Sequence, residues 1–537
     1  MATNGTRDVG RFSDLREMLE YSAMRFGTCV AIHEKRSGFY QHISYGRLFE
    51  EIEALGTALE PLLPKAPRVL LWGKNSYMQT LSFLSLLCGA GLPVLASVSI
   101  GDEDFAALVE RCGACAILCD RDLKVRAEAL SLPVYCYEDL CPLMEKGRAM
   151  IASGEYTVFE APIDLKAVAA VFSSHGRDIA LSHEAMVETV RLLAESNAIG
   201  TRDTFLSVLP LAQAHEALLG LLFPLSQGAS VAFAEGTRRL LSNMREIHPT
   251  CMVTVPYLAA KLYDKFWSLA EGREREIRRV IATTDPVRPL SARQALKTRL
   301  LSSARAPFGG ALRCLFLVGT PLEAMLSKGL RQIGIFTACT YGLAECGRLA
   351  AVTSPAAYLD GTAGKVLKGV LDIGHPQQDG SGDILVNGTP TGERGRVDEN
   401  GFLHVVGKTV NAIVLGNGTV ISPEEIQRLL RQSPLIKEAA AVGVPTAEGV
   451  ELAVMLVPNI EDLEHILGKD YTNEDLERAT SEWLGNVNEG VAEDARIALF
   501  ALSAEPLPRD ASGALVREEI IQMLIAAQGE EDFSQEE

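Results

Sequence analysis

The sequence predicts an α/β fold with largely parallel sheets, and three observations carry that expectation. Short apolar runs alternate with amphipathic stretches from residue 12 to about residue 365; this is the pattern of buried strands joined by helices. The chain has 537 residues, well beyond the size of one domain. Its composition, 47% hydrophobic and 22% charged, is that of a globular protein and not of a disordered one.

Each element follows from its own stretch. FSDLREMLEYSAMRF (12–26) places apolar residues three and four apart, the spacing of one helix face. SYGRLFEEIEALGTALEPLL (44–63) does the same behind a serine cap. RVLLWG (68–73), LPVLAS (92–97), CAILCD (115–120) and LPVYCY (132–137) are short enough to be buried strands. The alternation continues through AVAAVFSS (167–174), FLSVLP (205–210), SVAFAE (230–235), CMVTVP (251–256) and LRCLFLVG (312–319). No charge occurs from Asn75 to Gly101, and residues 81–100 are long enough to span a membrane. Gly89, Gly91, Pro93 and four serines interrupt the run, so it reads as buried helix, glycine turn and buried strand, and no transmembrane segment is expected.

After residue 365 the character changes. Gly and Asp become frequent, and GDILVNG and GFLHVVGK read as hairpin strands. From Ser422 a small α/β segment follows, with PEEIQRLLRQ as helix and AAAVGVP and ELAVMLVP as strands. The boundary is placed at 407/408, and the acidic tail GEEDFSQEE is expected to fray. There is no repeat of solenoid period.

Charge and cysteine usage narrow the function. A net charge of -18 with pI near 5.1 repels phosphate backbones and anionic lipid, so nucleic acid is not an expected partner. Eleven cysteines, an odd number, and no apolar leader in MATNGTRDVGRFSD imply a reducing, cytoplasmic setting. Cys112-Gly-Ala-Cys115, with Cys119 beyond, lacks a second pair at zinc spacing; Cys136 and Cys141 fit only loosely. The stretch reads as a helix end entering an apolar strand.

The motifs are more specific. In chain order they are ISYGRL, GKNS, LSHEAM, LPLAQAHEALLGLLFPLSQGASV, HPTCMVTVP, VGTPL, YGLAE, TGERGRVDENGFLHVVGK, ISPEEI and LPRDASGALVRE. In this order they resemble the adenylate-forming (AMP-binding) superfamily, and within it the long-chain fatty-acid–CoA ligases, or acyl-CoA synthetases. The resemblance covers nearly everything from Phe12 to Ile520. It implies a large N-terminal domain, 1–407, of two sandwiched α/β sheets plus a small β-barrel, and a small mobile α+β lid domain, 408–537. It also implies ATP/AMP, Mg2+ and CoA as cofactors, a fatty or other carboxylic acid as substrate, and CoA or an acyl carrier protein as acceptor. The family reaction turns fatty acid, ATP and CoA into acyl-CoA, AMP and pyrophosphate through an acyl-adenylate.

Residue by residue, the resemblance is uneven. The phosphate loop, in the family Thr-Ser-Gly-Thr-Thr-Gly followed by Pro-Lys-Gly, here reads Phe172-Ser173-Ser174-His175-Gly176-Arg177-Asp178. It is about four residues shorter, and Arg177 falls where a lysine belongs. A phosphate cradle needs several backbone N–H groups aimed at one anion, so the shortening compromises it. Gln213 and His215 stand where the family has His and an aromatic, and Val318 joins them as acyl-pocket lining. Gly319, Thr320 and Pro321 match the adenine segment. Tyr341 would stack on adenine beside Gly342, and Glu345 would hold the metal. Glu393 and Lys408 replace the Asp and Arg that anchor ribose; Lys cannot reproduce the planar fork of Arg. Asn411 takes the hinge position. At Ala514 the family carries its catalytic lysine, and alanine supplies no charge, proton or reach.

Losing one preorganised donor costs about 2.7–4 kcal/mol, roughly 10²–10³ in rate. With loop, ribose acid and lysine all altered, adenylation is expected to fall by roughly 10⁴ or more. The expectation is an acyl-CoA synthetase-like pseudoenzyme that is impaired or inactive and retains nucleotide and acyl binding. The alternatives are an active divergent fatty-acid–CoA or fatty-acid–AMP ligase, with Arg177 or Arg517 as substitute cation, and a non-catalytic scaffold or regulator.

Overall fold

A computed structural model describes residues 12–534, apart from 155, 175–176, 271, 273, 283–300, 302–304, 320, 377–379, 409–412, 416–419, 447–448, 469–470, 490, 492–495 and 510–514. The described chain divides into two compact units. One runs through Leu371 and takes back Glu399–Leu403; the other holds Asp372–Asp398 and everything from His404 onward.

Two mixed sheets build the first unit. The nine-stranded sheet runs Lys365–Val366, Ala351–Val352, Phe336–Tyr341, Cys314–Leu317, Cys251–Thr254, Thr204–Ser207, Ser230–Phe233, Val30–Arg36 and Phe39–Ser44. Its middle is parallel and its two edges antiparallel. The six-stranded sheet runs Val134–Cys136, Ala116–Cys119, Arg68–Trp72, Leu92–Ala96, Val168–Ser174 and Arg177–Ser182, parallel except for the last hairpin.

Side-chain alternation explains why both sheets are buried on both faces. In the six-stranded sheet Val69, Leu71, Leu95 and Leu118 join the central core. Their neighbours Leu70, Trp72, Val94 and Ile117 join a second core on the opposite face. In the nine-stranded sheet Phe205, Val231, Val253 and Phe316 enter the same central core. Leu206, Ala232, Met252 and Leu315 face outward into another. This is the period of two that strands impose. The shared central core makes the pair a sandwich.

The uncharged run is buried helix Tyr77–Ser85, a turn at Leu86–Ala90 with Gly89 at φ +134°, and strand Leu92–Ala96. Among the described residues no helix is long and apolar enough to cross a membrane. Cys112 ends a helix capped by left-handed Gly113, and Cys115 leads into strand Ala116–Cys119. Among the described residues no group of three or more His, Cys, Asp or Glu suits a metal ion.

Helices Tyr45–Leu59 and Cys141–Ser153 touch at Gly147, where a Cβ would collide with the Ala54 carbonyl. Backbone cannot yield there as a flexible side chain can. Gly147→Ala is expected to destabilise the first unit by about 1–3 kcal/mol, the usual cost of overpacking. Urea denaturation of both proteins measures it, and an unchanged midpoint would show that the helices separate freely.

The second unit has a four-stranded sheet in the order Leu371–Gly374, Gly382–Val386, Thr389–Val397, Leu403–Lys408. This sheet stands where a small barrel was expected; no closure is seen among the described strands. A long hairpin, Ile436–Thr446 with Gly449–Pro458, then takes Leu499–Leu502 as a parallel third strand. Ala441, Leu452 and Val454 pack on one face, and Ala440, Val442 and Met455 with Ile520 and Leu524 on the other.

Candidate active site

The carboxyl ends of the parallel strands in the nine-stranded sheet collect several expected residues. This is the end of an open α/β sheet where ligands bind. Strands Cys314–Leu317 and Phe336–Tyr341 are neighbours, with Leu317 opposite Cys339. The residues that follow, Val318 and Gly319, therefore come beside Thr340 and Tyr341. The Val318 N–H donates to the Thr254 carbonyl at 3.0 Å, which ties the segment to a third strand. Gly319 has φ +87°, and a Cβ there would meet nothing within 4 Å, so its backbone faces open space. Pro321 is half-buried, and Thr320 lies outside the described residues.

Tyr341 is only 3% exposed. Its carbonyl accepts from the Ala350 N–H at 2.7 Å. Gly342 follows at φ +102°, where a Cβ would lie 2.7 Å from the Arg348 carbonyl oxygen, so glycine is required. Glu345 sits in the short helix Leu343–Cys346; its side chain is outside the described set. A cavity on these strands, lined in part by Arg331, Thr337, Cys339, Thr353 and Asp360, measures about 10 Å³. It has room for about one water and is not a ligand pocket.

Asn75, in the GKNS motif, fixes the next loop. Its Nδ2 donates to Ser207 Oγ at 2.9 Å and to the Leu209 carbonyl at 2.7 Å, and its Oδ1 accepts from the Leu211 N–H at 2.8 Å. One amide thus holds the turn that presents Gln213 and His215. Gln213 is half-buried, and its carbonyl accepts from the Glu216 N–H at 2.9 Å. His215 is buried, and loss of water pushes its imidazole down to about 4, so it is neutral at pH 7.

The residue that sequence reasoning passed over is Glu216. It is 1% exposed, inside the π-helical turn Glu216–Leu222. Neither carboxyl oxygen has a partner in hydrogen-bond geometry, and burial drives its pKa up to about 8 against a small opposing effect of the Ser207 hydroxyl. Gly220 makes the room: a Cβ there would lie 2.7 Å from Glu216 Oε1. The signal was present, since Glu216 is the only acid or base apart from His215 between Phe205 and Ala234.

The expected phosphate loop is a hairpin. Strands Val168–Ser174 and Arg177–Ser182 pair antiparallel through Phe172↔Ile179, Ser173↔Asp178 and Ser174↔Arg177. Pairing to that point leaves a two-residue connection, His175 and Gly176, which lie outside the described residues. The side chains of Ser174 and Arg177 are likewise not described. Arg111 Nε donates to Asp178 Oδ2 at 2.7 Å. Burial works to raise the Asp178 pKa, but the Arg111 guanidinium and the Ser173 hydroxyl outweigh it and hold the carboxyl below its ordinary range. The Tyr341–Arg348 segment rests on this hairpin. A Cβ at Gly347 would lie 2.9 Å from Leu181, and Arg348 pairs with Glu188 at 2.7 Å.

The remaining residues belong to the second unit. Thr391 Oγ1 donates to the Ile384 carbonyl at 3.1 Å and accepts from the Glu393 N–H at 3.2 Å, which fixes the turn at Gly392. Lys408 is exposed at the end of strand Leu403–Lys408. Asn411 and Ala514 lie outside the described residues. The loop that carries Ala514 is clasped at its base by an Arg509↔Leu515 bridge and by the Val516 N–H donating to the Pro508 carbonyl at 3.0 Å. Arg517, the substitute cation considered above, donates to Glu424 at 3.0 Å and to the Ala441 carbonyl at 2.9 Å.

Known proteins share this fold. The AMP-binding enzyme family model matches residues 177–392, so it begins on the second strand of the shortened hairpin. The chain is 22% identical over 503 residues to long-chain-fatty-acid–CoA ligase ACSBG2 of Mus musculus, covering 80% of this chain and 74% of that one. It is 27% identical over 308 residues to long-chain-fatty-acid–CoA ligase 5 of Rattus norvegicus, covering 50% of this chain and 44% of that one. The crystal structure of the anthranilate CoA ligase AuaEII in complex with anthranoyl-AMP superposes with a TM-score of 0.69 at 16% identity, over 96% of this chain and 98% of that one.

Proposed function

Starting from a chain that is acyl-CoA synthetase-like, with the adenylate-forming fold and the AMP-binding signature, we propose a protein that binds nucleotide and carboxylic acid but forms acyl-adenylate poorly or not at all. The observation that carries this reading is the Ser174↔Arg177 register. With the strands in register up to Ser174 and Arg177, the connection is two residues long, short for a loop that aims several N–H groups at a triphosphate. Positioning of the phosphates must come before any benefit from a cation at the carboxylate.

On this reading Gly319, Thr320, Pro321, Tyr341 and Gly342 form the nucleoside edge, and Gln213, His215 and Val318 line the acyl side. Glu393 and Lys408 are the ribose anchors. Mg2+, which would neutralise phosphate charge, would have Glu345 as its ligand; CoA or a carrier protein would supply the acceptor thiol. The active-ligase alternative loses support because Arg517 is already engaged by Glu424 and Ala441. Residues 1–407 and 408–537 are the proposed functional domains, and the proposed setting is the cytoplasm.

The test is ATP–pyrophosphate exchange across medium- and long-chain fatty acids and aryl acids. Exchange at background is the expected result. Robust exchange by the unmodified protein would overturn the reading.

A further inference from the structure

We propose that His33 and His42 form a two-histidine site for a divalent transition metal that takes its ligands at right angles, of the Ni2+ or Cu2+ class. The site lies on the edge of the nine-stranded sheet and draws on no residue of the nucleotide edge.

A tight turn sets the two rings against each other. Ser37 and Gly38 both have positive φ, +51° and +87°, the angles of a two-residue hairpin turn of type I′. Arg36 then pairs with Phe39, Lys35 with Tyr40, Glu34 with Gln41 and His33 with His42. Residues directly opposite on antiparallel strands share a face, with Cβ atoms about 4.5–5.5 Å apart. Both imidazoles therefore rise from the same side. Their Nδ1 atoms are 2.8 Å apart, and the rings meet edge-on with their planes at 89°. Strand Val30–Arg36 is held on its other side by Ser230–Phe233, with His33 opposite Ala232. Phe39–Ser44 is the outermost strand of the sheet. His42 is exposed and His33 half-buried, so an ion can reach the pair from water.

Two neutral imidazoles this close share one proton, one ring donating and the other accepting. A metal ion takes the place of that proton by accepting a lone pair from each nitrogen. The spacing names the class of ion. Two ring nitrogens at about 2.0–2.1 Å from one ion stand about 2.8–3.0 Å apart at a right angle and about 3.3–3.4 Å apart at a tetrahedral one. The observed 2.8 Å fits the right angle of a tetragonal or octahedral ion. Water would fill the remaining positions, since among the described residues no third His, Cys, Asp or Glu completes a cluster. Lys35 lies on the same face two residues along the strand. Its ammonium is engaged by Glu235 at 3.0 Å and by Glu246 at 2.7 Å. Two carboxylates thus offset the charge that would oppose a dication.

The experiment is calorimetric titration of the full-length chain with Ni2+ and, separately, with Zn2+. It compares the wild type with His33→Asn, His42→Asn and the double variant. Eleven thiols contribute a background, and the double variant measures it. The wild type is expected to take up one further equivalent of Ni2+. Either single substitution should weaken that uptake by at least about tenfold, since even an outer partner of a metal ligand carries about 10–100-fold. At this site Ni2+ should bind more tightly than Zn2+. His42 is exposed on an edge strand, so His42→Asn keeps the fold even if His33→Asn does not, and far-UV circular dichroism checks both. Equal uptake by the wild type and the double variant would overturn the site. Full affinity in His42→Asn would reveal a contact through one histidine and overturn the pairing. Tighter binding of Zn2+ than of Ni2+ at the site would overturn the right-angled assignment.

Discussion

Ala514→Lys is expected to restore no measurable acyl-adenylate formation. The loop that carries position 514 keeps its closed base at Arg509 and Leu515, so a lysine placed there would have a proper platform. The difficulty lies on the hairpin. A lysine stabilises charge that develops at the reacting carboxylate and α-phosphate, and that charge develops only once the triphosphate is in place. On the proposed reading, a two-residue connection is too short to hold the triphosphate. Each missing donor accounts for roughly 10²–10³ in rate, and residues that act as a unit do not recover one at a time. The single variant should therefore remain at background in pyrophosphate exchange, about 10⁴-fold or more below a working ligase. Grafting about four loop residues between Ser174 and Arg177 together with Ala514→Lys should exceed either change alone. If Ala514→Lys by itself produced clear exchange, the alanine would be the principal lesion and the hairpin would be harmless.

The second large effect concerns stability and pH. Glu216 is buried without a hydrogen-bond partner, and its folded pKa of about 8 stands above the ordinary value of 4.5. The unfolded chain releases this proton near 4.5 and the folded chain only near 8. Between those values the unfolded state binds fewer protons, so stability falls as pH rises. The 3.5-unit gap from 4.5 to 8 corresponds to about 5 kcal/mol at 1.36 kcal/mol per unit. Glu216→Gln removes the titration. It should flatten the loss between pH 5 and pH 8, so that over this range the variant loses several kcal/mol less stability than the wild type does. His215 contributes on the acid side: its folded pKa of about 4 lies below the ordinary 6.5, so its stabilising effect is lost as pH falls from 6.5 toward 4. Urea denaturation of both proteins at pH 5, 6.5 and 8 measures the slopes. Parallel slopes for wild type and Glu216→Gln would mean that the carboxyl ionises freely and is not sealed.

Much of the fold was legible because burial on both faces of a parallel sheet leaves short apolar runs, and these are readable without an alignment. RVLLWG, CAILCD and LRCLFLVG became strands for that reason. The uncharged stretch from Asn75 was legible as helix, turn and strand because glycine and proline punctuate it. Of the candidate site, the motifs named Gly319 and Tyr341, and the sheet register puts the segments that carry them side by side. Partners far apart in sequence were not legible. Arg111 and Asp178 are 67 positions apart, and Asn75 reaches Leu211 across 136. Glu216 looked like an ordinary polar residue near a helix start until the absence of Gly220's side chain showed where its carboxyl goes.

By itself the sequence determined the class of fold, the order of the motifs and the alanine at position 514, because these depend only on which residue stands where along the chain. Only the tertiary structure decided how each charge is treated. It ties Arg517 to Glu424, keeps Asp178 ionised against Arg111, and leaves Glu216 sealed without a partner. The physical reason is that a charge takes its chemistry from desolvation and from neighbours a few ångströms away, and the chain brings those neighbours together only when it folds.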